Sequence, residues 1–137
     1  MTISKNYLDS LNTEQKKAVL ATDGPVLIVA GAGAGKTKTL THRILHLIAS
    51  GVSPERILAI TFTNKAAKEM RERVMGLLSN DPELSHLRRN PPFISTFHSL
   101  GVQLIKENAE LLKLPRHFSI FDTSDTKKIL KDAITKV

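Results

Sequence analysis

The chain has no cysteine, which removes disulfides, thiolate metal sites and thiol redox chemistry and suits a reducing compartment. No apolar run approaches the length needed to cross a bilayer. The start, Met1-Thr2-Ile3-Ser4-Lys5-Asn6, lacks the apolar stretch behind a basic start that directs secretion. These absences predict a soluble, cytoplasmic protein. Internal repeats and low-complexity tracts are absent, and so is any Asp-Glu dipeptide, whose significance emerges below. What remains, 137 residues of which 41% are hydrophobic, is long enough for one globular domain with one core and short for two.

Charge is plentiful and uneven. The net charge is +7; residues 1–30 carry three basic and three acidic side chains, residues 31–90 ten and five, and residues 91–137 seven and five. A basic balance suits a polyanionic partner and equally suits a surface tuned for solubility, so charge alone leaves both open.

One segment carries most of the chemistry. Pro25-Val26-Leu27-Ile28-Val29-Ala30 is a short apolar run, Gly31-Ala32-Gly33-Ala34-Gly35 a glycine-rich turn, and Lys36-Thr37 opens a helical pattern. This is the layout of a strand, a phosphate-cradling loop and a helix start, and it predicts a nucleoside triphosphate site. Gly31, Gly33 and Gly35 permit the backbone angles that turn N–H groups toward phosphate oxygens. Lys36 offers an ammonium to the β and γ phosphates, and Thr37 a hydroxyl to Mg²⁺. Ala30 replaces the glycine that opens the strict pattern. As the last residue of an extended segment it tolerates a methyl group. The bland reading of the same residues is a glycine-rich turn that only joins a strand to a helix.

The flanking pattern places this loop in an α/β architecture. Asn12-Thr13-Glu14-Gln15 reads as a helix start with Ala18, Val19 and Leu20 as its apolar side. A second helix is expected from Lys36 to Ser50 on Leu40, Ile44, Leu47 and Ile48, closed by Gly51. Ile57-Leu58-Ala59-Ile60-Thr61-Phe62 reads as a buried strand, and a helix from Lys65 to Leu78 turns Ala66, Ala67, Met70, Val74, Leu77 and Leu78 inward, with Arg71 and Arg73 read as solvated charges, the alternative being that one of them faces the nucleotide cleft. Ser79 to Pro92 reads as loop. Phe93-Ile94-Ser95-Thr96-Phe97 is a third strand before a helix from His98 to Leu112. Phe118-Ser119-Ile120-Phe121 reads as extended, ahead of a helix capped by Asp122 or Thr123 that reaches Val137 with Ile129, Leu130, Ala133 and Ile134 inward. Alternating strands and helices predict a parallel sheet flanked by helices, with ligands at the carboxyl ends of the strands. Gly31–Thr37, Thr61–Asn64 and Thr96–His98 are then expected to leave the same end of one sheet.

Taken together these segments resemble the N-terminal RecA-like half of superfamily 1 DNA helicases of the UvrD, Rep and PcrA type. Leu11-Asn12-Thr13-Glu14-Gln15-Lys16-Lys17-Ala18-Val19 is similar to the family's Q motif, Ala30 to Thr37 to its Walker A motif, Thr61-Phe62-Thr63-Asn64-Lys65-Ala66-Ala67-Lys68-Glu69-Met70 to motif Ia, and Ser95-Thr96-Phe97-His98-Ser99-Leu100-Gly101 to motif Ib. The resemblance implies a P-loop NTPase (RecA-like) fold, incomplete, over residues 1–113, with 114–137 starting the inserted helical 1B subdomain. It implies ATP and Mg²⁺ as cofactors, Gln15 as the reader of adenine, and Ala30, Gly31, Ala32, Gly33, Ala34, Gly35, Lys36, Thr37 and Lys38 around the nucleotide. Lys38 departs from the family, in which an arginine often stacks beside the base. The resemblance further implies contacts from Phe62, Thr63, Asn64, Thr96 and His98 to single-stranded DNA. The residues themselves leave other readings open: Gln15 also fits a capping box with Asn12, Thr63 a helix cap, Phe62 a core side chain and His98 an ordinary polar surface residue.

Hydrolysis in that family needs an Asp-Glu pair after an apolar strand and a second RecA-like domain with arginine fingers. Neither is in this sequence. Asp122, ending an apolar run, is the one imitation. The chain thus reads as the first segment of an ATP-dependent, 3′ to 5′ helicase or translocase, inactive alone, whether a gene fragment, a truncated frame or an engineered piece. A noncatalytic nucleotide- or nucleic-acid-binding module is the alternative. An unrelated P-loop kinase or transport ATPase has no need of motifs Ia and Ib.

Overall fold

Helix caps set most of the boundaries. The structure, a computed structural model, describes residues 5–31, 33, 35–115, 117–120 and 123–135. After a 3-10 turn at Lys5–Leu8, helix α1 (Thr13–Leu20) begins on a reciprocal cap: Asn12 Oδ1 accepts from Gln15 N at 2.8 Å, and Gln15 Oε1 accepts from Asn12 N at 3.1 Å. Helix α2 (Lys36–Ala49) ends because Gly51 takes φ +95°, which lets Val52 N donate back to Leu47 O at 3.0 Å. Strand β1 (Leu58–Thr61) leads to helix α3 (Asn64–Asn80), capped by Thr63 Oγ1 accepting from Ala66 N at 3.1 Å. Strand β2 (Phe93–Thr96) runs directly into helix α4 (Phe97–Glu107), and helix α5 spans Thr123–Thr135.

β1 and β2 form a parallel two-stranded sheet in the register Leu58↔Phe93 to Thr61↔Thr96. The long connection through α3 is what parallel pairing requires. Met70, Val74 and Leu78 of α3, at helical spacing, pack with Ile44, Leu45 and Ile48 of α2 and with Ile57, Leu84 and Ile94 as the main core. Leu45, Val74 and Leu78 are almost wholly buried, and each such side chain contributes about 1.5–3 kcal/mol. A smaller cluster of Leu8, Leu11 and Val19 joins α1 to the N-terminal turn.

Several sequence expectations are corrected. Pro25–Ala30 is not a strand: among the described residues nothing pairs with it, and Leu27 and Val29 are each 88% exposed. An apolar run becomes a strand only when a neighbour satisfies its backbone, and here it has none. Segment 79–92 is not all loop, because α3 runs on to Asn80, Asp81 Oδ1 turns the chain by accepting from Glu83 N and Leu84 N, and buried Leu84 leads into a 3-10 turn at Ser85–Arg89. Helix α4 stops at Glu107 instead of Leu112, where Asn108 Nδ2 competes for the Leu104 carbonyl at 2.8 Å. Leu40 is exposed; α2 instead buries Thr41, His42 and His46 beside its aliphatic residues. Phe118–Ile120 forms no strand, and Phe121 and Asp122 lie outside the described residues.

The chain divides into two compact units, 1–100 and 101–137. The first holds α1, α2, α3, the sheet and both clusters. In the second, Lys113 at φ +54° closes the turn after α4, with Leu114 N donating to Ala109 O at 2.9 Å, and Ile129, Leu130 and Ile134 of α5 are exposed, not inward.

Candidate functional site

The loop before α2 takes the conformation its glycines allow. Gly33 and Gly35 both have φ +76°, and Gly35 stands at the N-cap of α2, where no side chain caps the helix. The first turn of α2 therefore directs its N–H groups and partial positive charge toward the loop. Lys36 Nζ folds back to donate to Ala30 O at 3.1 Å and Gly31 O at 3.2 Å, so the ammonium lies over the loop. Thr37 is half-buried at the second position of the helix. Ala32 and Ala34 lie outside the described residues.

Gln15 comes to the same place. A Cβ built on Gly35 would stand 2.7 Å from Gln15 Nε2, closer than real side chains tolerate. Glycine at 35 is thus favoured by its positive φ, and a side chain there would also displace the Gln15 amide. The capping-box reading of Gln15 and its place beside the loop hold together: its carbonyl faces Asn12 N while its amino group faces Gly35.

A polar seam along α2 fastens this arrangement. Lys38 Nζ donates to Ser10 O, and Arg43 Nη1 donates to Ala18 O at 2.6 Å and to Ala21 O, taking carbonyls at the end of α1. Lys38 is therefore anchored to the segment before α1. Buried His42 donates from Nδ1 to Lys38 O at 2.8 Å, which leaves Nε2 to meet the Ser10 hydroxyl at 3.4 Å. Burial, and secondarily the Lys38 charge, pushes its pKa below the usual histidine value, while the bond to Lys38 O pulls the other way. His46 Nδ1 lies 2.8 Å from the Tyr7 hydroxyl, whose pKa is raised by burial and then by Asp81. Sequence periodicity, scored on apolar residues, missed His42 and His46; the i, i+4 spacing of 38, 42 and 46 was the available signal.

The strand ends make a second locus. Because Thr61 pairs with Thr96, Phe62 and Phe97 emerge side by side, with ring centroids 6.1 Å apart at 68°. Phe62 is 90% exposed, so it is not a core side chain. Asn64 and His98, at the starts of α3 and α4, are exposed. Thr63 is occupied as the cap of α3, and Thr96, 4% exposed, bonds through its hydroxyl to Ser99 Oγ at 3.0 Å and Ser99 N at 3.3 Å. Arg71 is not simply solvated, since its Nη2 donates to Ile94 O at 2.6 Å. Arg73 instead lines a groove of about 270 Å³ with Lys38, Thr41, His42 and Asn80.

The structure thus gathers the second and third loops at one sheet end. Gly31–Thr37 does not leave the sheet, because the segment before it is not a strand of it.

A glycine loop at a helix start, an amide set against it, and an aromatic pair at the ends of two parallel strands are the features this α/β chain brings together. Residues 11–137 match the UvrD/REP helicase N-terminal domain, and the chain belongs to that family. Among its relatives are two proteins named ATP-dependent DNA helicase PcrA: one from Staphylococcus aureus, 47% identical over 93% of this chain, and one from Leuconostoc citreum, 48% identical over 92%. The chain spans 17% and 16% of the length of these relatives.

Proposed function

We propose that the chain is the ATP-binding N-terminal segment of an ATP-dependent DNA helicase or translocase that acts 3′ to 5′ on single-stranded DNA, and that it has negligible turnover by itself. The observation that carries this is the seat of Gln15 against Gly35, which joins an adenine-reading amide to a phosphate loop. An amide with one acceptor and two donors complements the amino group and ring nitrogen of adenine. Backbone N–H groups of residues 31–37, Ala32 and Ala34 included by motif, meet phosphate oxygens. Lys36 exchanges two neutral carbonyls for charged oxygens, a favourable exchange because charge-assisted bonds are the stronger. Lys38 supports the loop from Ser10 and adds positive charge, without a planar face for the base.

Mg²⁺ is the ion such a site employs. Thr37 offers one hydroxyl, and among the described residues no three His, Cys, Asp or Glu side chains converge, so phosphate oxygens and water complete the ion's shell. Asn64 and His98 donate to a DNA backbone and Phe62 lies against a base, while Thr63 and Thr96 position these loops through their caps. Residues 1–113 belong to the RecA-like 1A domain and 114–137 start the 1B insertion; the cytoplasm is the proposed setting. A Walker B segment and a second RecA-like domain are the partners that turnover needs.

Titration with a fluorescent ATP analogue tests this reading. Lys36→Ala weakens binding at least tenfold without altering the melting curve, and Gln15→Ala selectively weakens adenine over guanine nucleotides. Equal binding by wild type and Lys36→Ala sinks the nucleotide reading, and robust DNA-stimulated hydrolysis by the 137 residues refutes the claim of an incomplete catalytic apparatus.

A further inference from the structure

We propose that Phe97 is a positioning residue for nucleic acid: its ring braces Phe62, so that the pair presents one fixed aromatic face to an unstacked base at the ends of β1 and β2. This deepens the single-stranded DNA reading above and rests on it. The register is the origin of the pair. Each phenylalanine directly follows one member of the Thr61↔Thr96 pairing, so the parallel ladder brings the rings together, 6.1 Å apart and edge to face at 68°. Burial does not explain the contact, because Phe62 and Phe97 are 90% and 59% exposed. Two large apolar rings meeting in solvent leave a π-face open, and a base is a flat partner for such a face.

The setting favours nucleic acid over an apolar protein surface. α3 begins two residues after Phe62 and α4 begins at Phe97, so two helix N-termini and the exposed donors of Asn64 and His98 frame an apolar face with groups that suit phosphate. The net charge of +7 favours the same polyanion. A lone exposed phenylalanine samples several rotamers; held against a second ring it loses less freedom when a base stacks. Phe97 acts through Phe62 and not by touching phosphate.

The test is titration of the 137-residue chain with an oligothymidylate carrying 2-aminopurine, whose emission is quenched when the base stacks on a ring. Phe97→Leu keeps apolar bulk but removes the ring. It is expected to weaken binding about threefold to tenfold, to lose most of the quench, and to leave the slope of log affinity against log salt unchanged, because no phosphate contact is removed. Phe97→Tyr restores both readouts. In a Phe62→Leu background, Phe97→Leu has no further effect, which also decides the matter if Phe97→Leu alone melts early. Unchanged affinity and quench in Phe97→Leu, additive losses in the double variant, or an altered salt slope overturns the proposal. Failure of the wild-type chain to bind any single strand removes the functional reading and this inference together. Binding by wild type with an indifferent Phe97→Leu removes the inference alone.

Discussion

Pro25–Ala30 and Leu58–Thr61 are near twins as sequences, short and apolar between turn residues, yet only the second is a strand. Leu58–Thr61 lies beside Phe93–Thr96, which satisfies its backbone along one edge, and α3 covers the sheet through Met70 and Val74. Pro25–Ala30 has no such neighbour among the described residues, and Val26, Leu27 and Val29 stand in solvent. The difference lies in the partner and not in the residues: apolar composition makes a strand possible, and a ladder makes it real. The two loci inherit this contrast. The aromatic pair grows from a paired element, whereas the phosphate loop is held mainly by its connections to α1 and α2.

If pairing and burial distinguish the two segments, the largest effect comes from damaging the paired one. Ile94 is buried in β2 against α3, so Ile94→Ala should cost about 2–5 kcal/mol, read as a fall in the denaturant midpoint with an unchanged slope. A loss below about 1 kcal/mol would mean the sheet is not the anchor of this unit.

The phosphate loop responds to its own strain. Gly35→Ala places a methyl group at φ +76° and 2.7 Å from Gln15 Nε2, for an expected cost of about 1–3 kcal/mol. ATP-analogue affinity should fall in the same variant. Gly31→Ala, with a backbone φ outside the positive region and open space around its Cβ, should retain most of the stability, which separates general loss of glycine from loss at the one crowded position.

Local chemistry was the legible part. The Asn12–Gln15 cap, the Thr63 cap and the turn at Gly51 are written in neighbouring residues, and the structure shows each of them. What depends on distant partners was not legible. The burial of Thr96, the hold of Arg71 on Ile94 O and the outward face of α5 are decided by what lies opposite, which periodicity does not report. His42 illustrates the limit. It stands on a polar stripe of α2 and is buried only because Ser10 and the segment before α1 fold over it.

That burial has a pH signature smaller than either substitution. His42 titrates below its unfolded value near 6.5, because burial and then the Lys38 charge disfavour its cation. Above that value both states are neutral at this site and nothing is lost. As pH falls below it, the unfolded chain binds a proton that the folded chain resists, so stability declines until pH passes the lowered folded value, where the difference levels off. His42→Gln should flatten this dependence between about pH 5 and 7 in chemical denaturation, against the background of the other histidines. A dependence as steep as wild type would place the titration elsewhere.

The smallest expected effect is the most direct test of the contrast between the twin segments. Leu27 and Val29 are each 88% exposed, so Leu27→Ser and Val29→Ser should change stability by no more than about 0.5 kcal/mol, as for surface positions generally. The same changes should reduce aggregation, because they interrupt an exposed, uncharged apolar run with no strand partner among the described residues, the kind of segment that recruits other chains. Light scattering on heating reads the second effect and a denaturant melt the first. A loss of 2 kcal/mol or more for either residue would show that the run is buried in solution as a strand, and would return the phosphate loop to the sheet end where its sequence first placed it.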